Sequence, residues 1–146
     1  IEERLSRLDI EIELRPELTG KTSQFGSLEE LISLSKSVGS CKPCMDFSHL
    51  YARTGDVNTY EGFTKVLDTL KESLGANALK EMHIHISGIS SNSKGDLKHL
   101  NLEKSKFNWK DLMKALKDYD CRGYVICNSP NLEVDAQMLK QHYMAL

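Results

Sequence analysis

Asp46 and His49, in Cys44-Met45-Asp46-Phe47-Ser48-His49, are the residues best suited to chemistry by type and spacing. An apolar run ends in this pair, three residues apart, and then the pattern breaks. Aspartate and neutral histidine both ligate Zn²⁺ or Mn²⁺, and a strand end can aim them into one cavity. Alone, a D-x-x-H spacing fits a polar loop after a strand equally well. Repetition favours the metal reading, because Glu17 and His83 also fall at the ends of strand-like runs. Such a cation needs carboxylates and imidazoles that converge, so the elements carrying them decide the matter.

Residues 2–8 read as the tail of a helix. Ile10, Ile12 and Leu14 then alternate with Glu11, Glu13 and Arg15, the period of a strand that Pro16 and Gly20 end. Ser27-Leu28-Glu29-Glu30 is a capping box for a helix with Leu28, Leu31, Ile32 and Leu34 on one face, stopped by Gly39. A second strand is expected at roughly 42–46. A loop with Arg53, Gly55 and Asp56 follows, and Asn58 with Glu61 caps a helix running to Gly75. Met82–Ile86 reads as the third strand, its two-residue period placing His83 and His85 on one side. A long polar loop from Ser87 to Ser105 holds Asp96 and His99. Asn108 caps the next helix, Gly123–Cys127 is the fourth strand, and Glu133 to about Tyr143 the last helix.

The alternation of strands and amphipathic helices predicts an α/β fold of parallel β/α units in a single domain, 1–146. Glu17, Asp46, His49, His83, His99 and Asn128 all lie at or beyond the C-terminal ends of strands. In parallel α/β folds that edge carries the ligand site. Four such units are half of a (β/α)₈ barrel.

Net charge is −2, from 19 Lys and Arg against 21 Asp and Glu. That excludes nucleic-acid binding by bulk positive charge but not by a local basic rim. No apolar run is long enough to cross a bilayer, and no signal peptide is visible, so no membrane partner is expected. The start at Ile1 reads as a fragment or a trimmed chain. Cys41 and Cys44 form a C-x-x-C that could be redox-active or half a zinc ribbon, but no second C-x-x-C completes a ribbon. Cys44 and Cys127 sit in strand-like runs where thiols act as small core residues. Buried thiols fit a reducing, cytoplasmic location.

Several motifs together resemble the endonuclease IV family, closest to its archaeal-type branch. They are Leu14-Arg15-Pro16-Glu17-Leu18-Thr19-Gly20-Lys21, Ser23-Gln24-Phe25-Gly26, Asp46-Phe47-Ser48-His49, Met82-His83-Ile84-His85-Ile86-Ser87-Gly88 and Lys98-His99-Leu100-Asn101-Leu102. These enzymes are apurinic/apyrimidinic endonucleases with a xylose-isomerase-like TIM barrel. The similarity covers only the C-terminal half of that barrel, strands five to eight. It implies cleavage of the DNA backbone 5′ to abasic sites, in base-excision repair, using up to three zinc ions, with Mn possible.

By that resemblance Glu17 matches a carboxylate bridging two metals. Asp46 and His83 match ligands of the second metal, and His49 and His99 ligands of the third. Asp96 is the nearest acid to the family's remaining aspartate, one residue out of place. Asn128 stands where the family has a glutamate ligand, and two histidines of the first half-barrel have no counterpart, so fewer metals are expected. Arg15, Lys21, Arg53, Lys94 and Lys98 are candidate phosphate contacts. No protein base is assigned, because the metals replace it. His85 is either near the site or a satisfied core histidine, His142 is expected to face solvent, and Trp109 to pack. Expected partners are abasic DNA and either the missing half-barrel or a second copy of this chain. Two other readings remain: a non-catalytic half-barrel fragment or subunit that binds DNA or a partner, and a metal-dependent sugar isomerase or epimerase.

Overall fold

The computed structural model describes residues 2–7 and 12–146. Helix α1 spans Glu2–Arg7, and Ile10 and Glu11 of the expected first strand lie outside the described residues. From Leu14 to Leu18 the chain runs parallel to residues 40–44 without forming a regular strand. Leu14 pairs with Cys41 and Glu17 with Cys44 as isolated bridges. The amides of Leu14, Lys42, Cys44 and Leu18 donate across the gap to Ser40, Leu14, Pro16 and Cys44 carbonyls. Pro16 has no N–H to add to that ladder, which is why the pairing stays broken.

Helix α2 (Leu28–Ser37) opens with the expected capping box: Ser27 Oγ accepts from Glu30 N, and Glu30 accepts from Ser27 N. The helix ends at Ser37, with Val38 already extended. Strand β1 is Cys44–Asp46. Instead of the expected loop, the chain turns directly into helix α3 (Phe47–Thr54), which Asp46 caps through His49 N at 2.8 Å. Helix α4 (Tyr60–Leu74) is capped by Thr59 rather than Asn58. Asn58 instead bonds Lys106 O and Asn108 N, tying this turn to the one before α5.

Strand β2 (Met82–Ile86) alternates buried and half-buried residues. Met82, Ile84 and Ile86 face the helices, and His83 and His85 face the other way. The expected polar loop after it is built as an antiparallel hairpin, β3 (Gly88–Asn92) and β4 (Gly95–Leu100), followed by a 3₁₀ turn at Leu102–Lys104. Its low apolar content hid it, because it is held by its backbone ladder and by packing on α3. Asn108 caps helix α5 (Trp109–Asp118) as expected. Strand β5 (Gly123–Cys127) and helix α6 (Glu133–Ala145) complete the chain.

The result is an α/β fold whose parallel sheet has the order β1-β2-β5. Phe63, Val66, Leu67 and Leu70 of α4 and Leu112, Met113 and Leu116 of α5 pack on its helix side. Burying each such side chain contributes roughly 1.5–3 kcal/mol. The opposite face carries the polar candidates. Among the described residues no helix is long and apolar enough to cross a membrane.

Candidate metal centre

Sheet register sets the site. Asp46 is level with His85, and Cys44 with His83. Laterally paired residues of a parallel sheet point to the same face, so these four and Glu17, the bridge partner of Cys44, share one surface. Asp46 is fully buried. Its Oδ1 accepts from His49 N in the helix cap, while Oδ2 has no hydrogen-bond partner. That oxygen lies 3.2 Å from His49 Nδ1 but without hydrogen-bond geometry. Burial holds the Asp46 carboxyl above the usual carboxylate range, despite the favourable pull of His49. A buried carboxylate oxygen lacking a donor, 1–3 kcal/mol worse off than a satisfied one, fits a cation ligand.

The imidazoles give the second test of fit. His49 Nδ1 lies 3.2 Å from Leu18 O, and His99 Nδ1 lies 3.1 Å from Asn128 O. A carbonyl oxygen only accepts, so each Nδ1 carries the proton and a neutral ring then presents a lone pair at Nε2. The two Nε2 atoms face each other at 3.2 Å. Two lone pairs so placed repel unless a proton or cation lies between them. Ligands about 2.0–2.1 Å from a tetrahedral ion are themselves about 3.3 Å apart, which matches. Backbone carbonyls fixing the far nitrogen are the usual way a metal-ligating imidazole is oriented.

A second donor group lies on the other side of His49. One ligand atom each from Glu17, Asp46 and His49 fall within 4.8 Å of one another. Behind Glu17, His85 Nδ1 is 2.8 Å from Glu17 Oε1. The residues present therefore suit a divalent cation at two adjacent positions, one facing His49 and His99, the other facing Asp46 and Glu17.

Comparison with known proteins agrees with this architecture. A model of the xylose isomerase-like TIM barrel family matches residues 3–142. The chain belongs to this family. It is 47% identical over 145 residues to an uncharacterized protein of Methanocaldococcus jannaschii, an alignment covering 99% of this chain and 53% of the relative. Among solved structures it resembles that of AsfvAP:AG, with a TM-score of 0.63 and 10% identity, covering 99% of this chain and 56% of that one. At that identity the likeness concerns the fold alone. The chain spans about half the length of both relatives.

Within this TIM-barrel framework the other sequence candidates fall differently. His85, rather than His83, reaches Glu17. His83 sits one pleat lower, its ring 5.2 Å from that of His85 and 6.4 Å from that of Tyr124. The choice between the two depends on register, which spacing does not reveal. Asp96 lies against Gly20, where an added Cβ would come 2.5 Å from its Oδ1. Gly95, at φ +112°, packs on the Gly20 carbonyl, so two glycines let the hairpin dock on the 19–26 loop and bring His99 to His49. Asn128 meets the site through its carbonyl, on His99.

The candidate phosphate contacts also divide. Arg53 Nη1 bonds the carbonyls of Thr19, Lys21 and Gln24 and so holds the loop together. Arg15 is paired with Glu13 and lines a groove at the N-terminal end of the sheet, with Lys42 and Glu81. Lys21, Lys94 and Lys98 remain exposed. Trp109 packs as expected, but His142 is half-buried edge-on against it at 5.1 Å instead of facing solvent.

Proposed function

We propose that this chain supplies metal ligands to a phosphodiester hydrolase that cuts DNA 5′ to abasic sites. The facing Nε2 atoms of His49 and His99, each ring tied back to a carbonyl, carry the reading. When bound, zinc or manganese supplies an electrophilic centre that polarises a phosphate ester and acidifies water. Asp46 and Glu17 bring the negative charge that retains such cations. His85 fixes the Glu17 carboxylate, and Leu18 and Asn128 fix the two imidazoles. Lys21 on the 19–26 loop and Lys94 and Lys98 on the hairpin are exposed and offer contacts to backbone phosphates.

The same family includes sugar-isomerase-like barrels, but among the described residues Glu17 and Asp46 face the imidazoles, an arrangement that suits a cation better than proton transfer on a small polyol. A specific observation favours a site shared with further chain. The inner face and outer edge of β5 are bare, with Tyr124 74% and Ile126 41% exposed. An eight-stranded barrel closes on itself, so we read this sheet as four of eight strands, counting the segment 14–18, completed by the other half-barrel or by a second copy.

The test is metal content by elemental analysis of protein purified without chelator, followed by incision of a duplex carrying one abasic site. The expected result is bound zinc or manganese that falls at least tenfold in affinity in His99→Ala, and metal-dependent incision once the barrel is complete. Metal content at background, or unchanged in His99→Ala, would overturn the centre. Retained metal without incision would leave a binding subunit instead of a nuclease.

A further inference from the structure

One pleat below Asp46 and His85, the inner face carries two donors that the proposed hydrolase leaves unused, Cys44 and His83. Cys44 on β1 is the register partner of His83 on β2. One ligand atom each from Cys44, His83 and His85 lie within 4.8 Å of one another. A thiolate with two imidazoles is a borderline-soft set, well matched to zinc or cobalt and poorly to magnesium or calcium. We propose that Cys44, His83 and His85 form a second metal site, for a thiophilic cation of the zinc class, separate from the position between His49 and His99.

Geometry supports it first. Zinc holds sulfur at about 2.3 Å and nitrogen at about 2.0–2.1 Å, which places ligand atoms about 3.5 Å apart. Side-chain rotations of about an ångström close the present spacing, and the paired strands hold the backbones in place. Glu17 accepts from His85 Nδ1 at 2.8 Å, a carboxylate–histidine contact that leaves the other ring nitrogen as donor. Burial, His85 and Arg15 hold the His83 imidazole below its ordinary value. The Cys44 thiol is pushed up to about 12 by burial and by Glu17 and Asp46. A cation bound there would displace the thiol proton to solvent.

His85 belongs to both neighbourhoods, holding Glu17 on one side and the thiol site on the other. The proposal does not depend on the nuclease reading, because its donors are separable from His49 and His99.

Cobalt(II) titration of chelator-treated protein tests it directly. Sulfur ligation gives a near-ultraviolet charge-transfer band that carboxylates and imidazoles do not. The expected result is a band saturating at one equivalent, absent in Cys44→Ala and in the near-isosteric Cys44→Ser, and weakened at least tenfold in affinity in His83→Ala. It should persist in His99→Ala. Cobalt binding without the band in unaltered protein, or a band surviving Cys44→Ser, would each overturn the site.

Discussion

Asp46 shows how one side chain can trade stability for binding. It is buried, its carboxyl is held above the usual range by that burial, and one oxygen has no donor. Removing the charge relieves a desolvation cost that only a cation offsets. Asp46→Asn is expected to stabilise the metal-free protein by about 1–3 kcal/mol and to weaken metal binding. Urea unfolding in chelator, set beside a competition titration with a metal indicator, checks both signs. Loss of stability in chelator would show that Asp46 serves the fold and not a cation. What the sequence made legible is proximity: Glu17, Asp46 and His49 come together, and His99 faces His49. That His85 and not His83 stands beside Glu17 was not legible, because it follows from Asp46 pairing with His85 across two strands far apart in sequence.

At the scale of elements, caps and alternation carried most of the reading. The Ser27–Glu30 box, the Asn108 cap and the Met82–Ile86 alternation are local signals, and each element formed where they stand. Helix α3 was missed because its first turn is made of the site residues themselves, so polar Asp46, Ser48 and His49 masked its apolar side. Ser48, fully buried, exchanges hydrogen bonds with the backbone of Ser87 and locks α3 to the end of β2. The turn after the hairpin is fastened by α6. Asp135 accepts from Leu102 N at 2.7 Å and from Asn131 Nδ2 at 2.8 Å. Burial pushes its carboxyl up, but these bonds outweigh it and hold it below the ordinary 3.8. A depressed carboxyl stabilises the fold above its unfolded value and ceases to do so as pH falls through the folded one. Asp135→Asn should therefore cost about 1–3 kcal/mol at pH 7, and the difference from unaltered protein should shrink below pH 3.8. Unfolding midpoints at pH 7 and pH 3 measure this, and an unchanged gap would mean the carboxylate charge is not what α6 contributes.

The whole molecule is a parallel sheet with helices packed on one face and a free edge at β5. Beside β5, a cavity of about 400 Å³ opens between the strand, α5 and α6, lined by Met113, Leu116, Val125, Leu139 and Tyr143 among others. Val125, in the middle of the strand, is 48% exposed. With the proposed barrel completion, native mass spectrometry should find a species heavier than the 16.5 kDa chain, and its formation should bury β5 amides against hydrogen exchange. A monomer at every concentration, with or without the other half-barrel, would sink the shared-site reading. The parallel α/β class was legible from the order of elements. The broken pairing at Leu14–Leu18 was not, since alternation predicts a strand whether or not a proline interrupts its ladder.

The bare edge of β5 has a cost of its own. Gly123-Tyr-Val-Ile-Cys127 carries no charge, no proline and no bulge along its free side, so identical strands from neighbouring molecules can stack on it. Solubility of the isolated chain would then be governed by five residues away from the paired histidines. A single lysine there, Val125→Lys, should raise the concentration at which light scattering begins while leaving the metal content as it was.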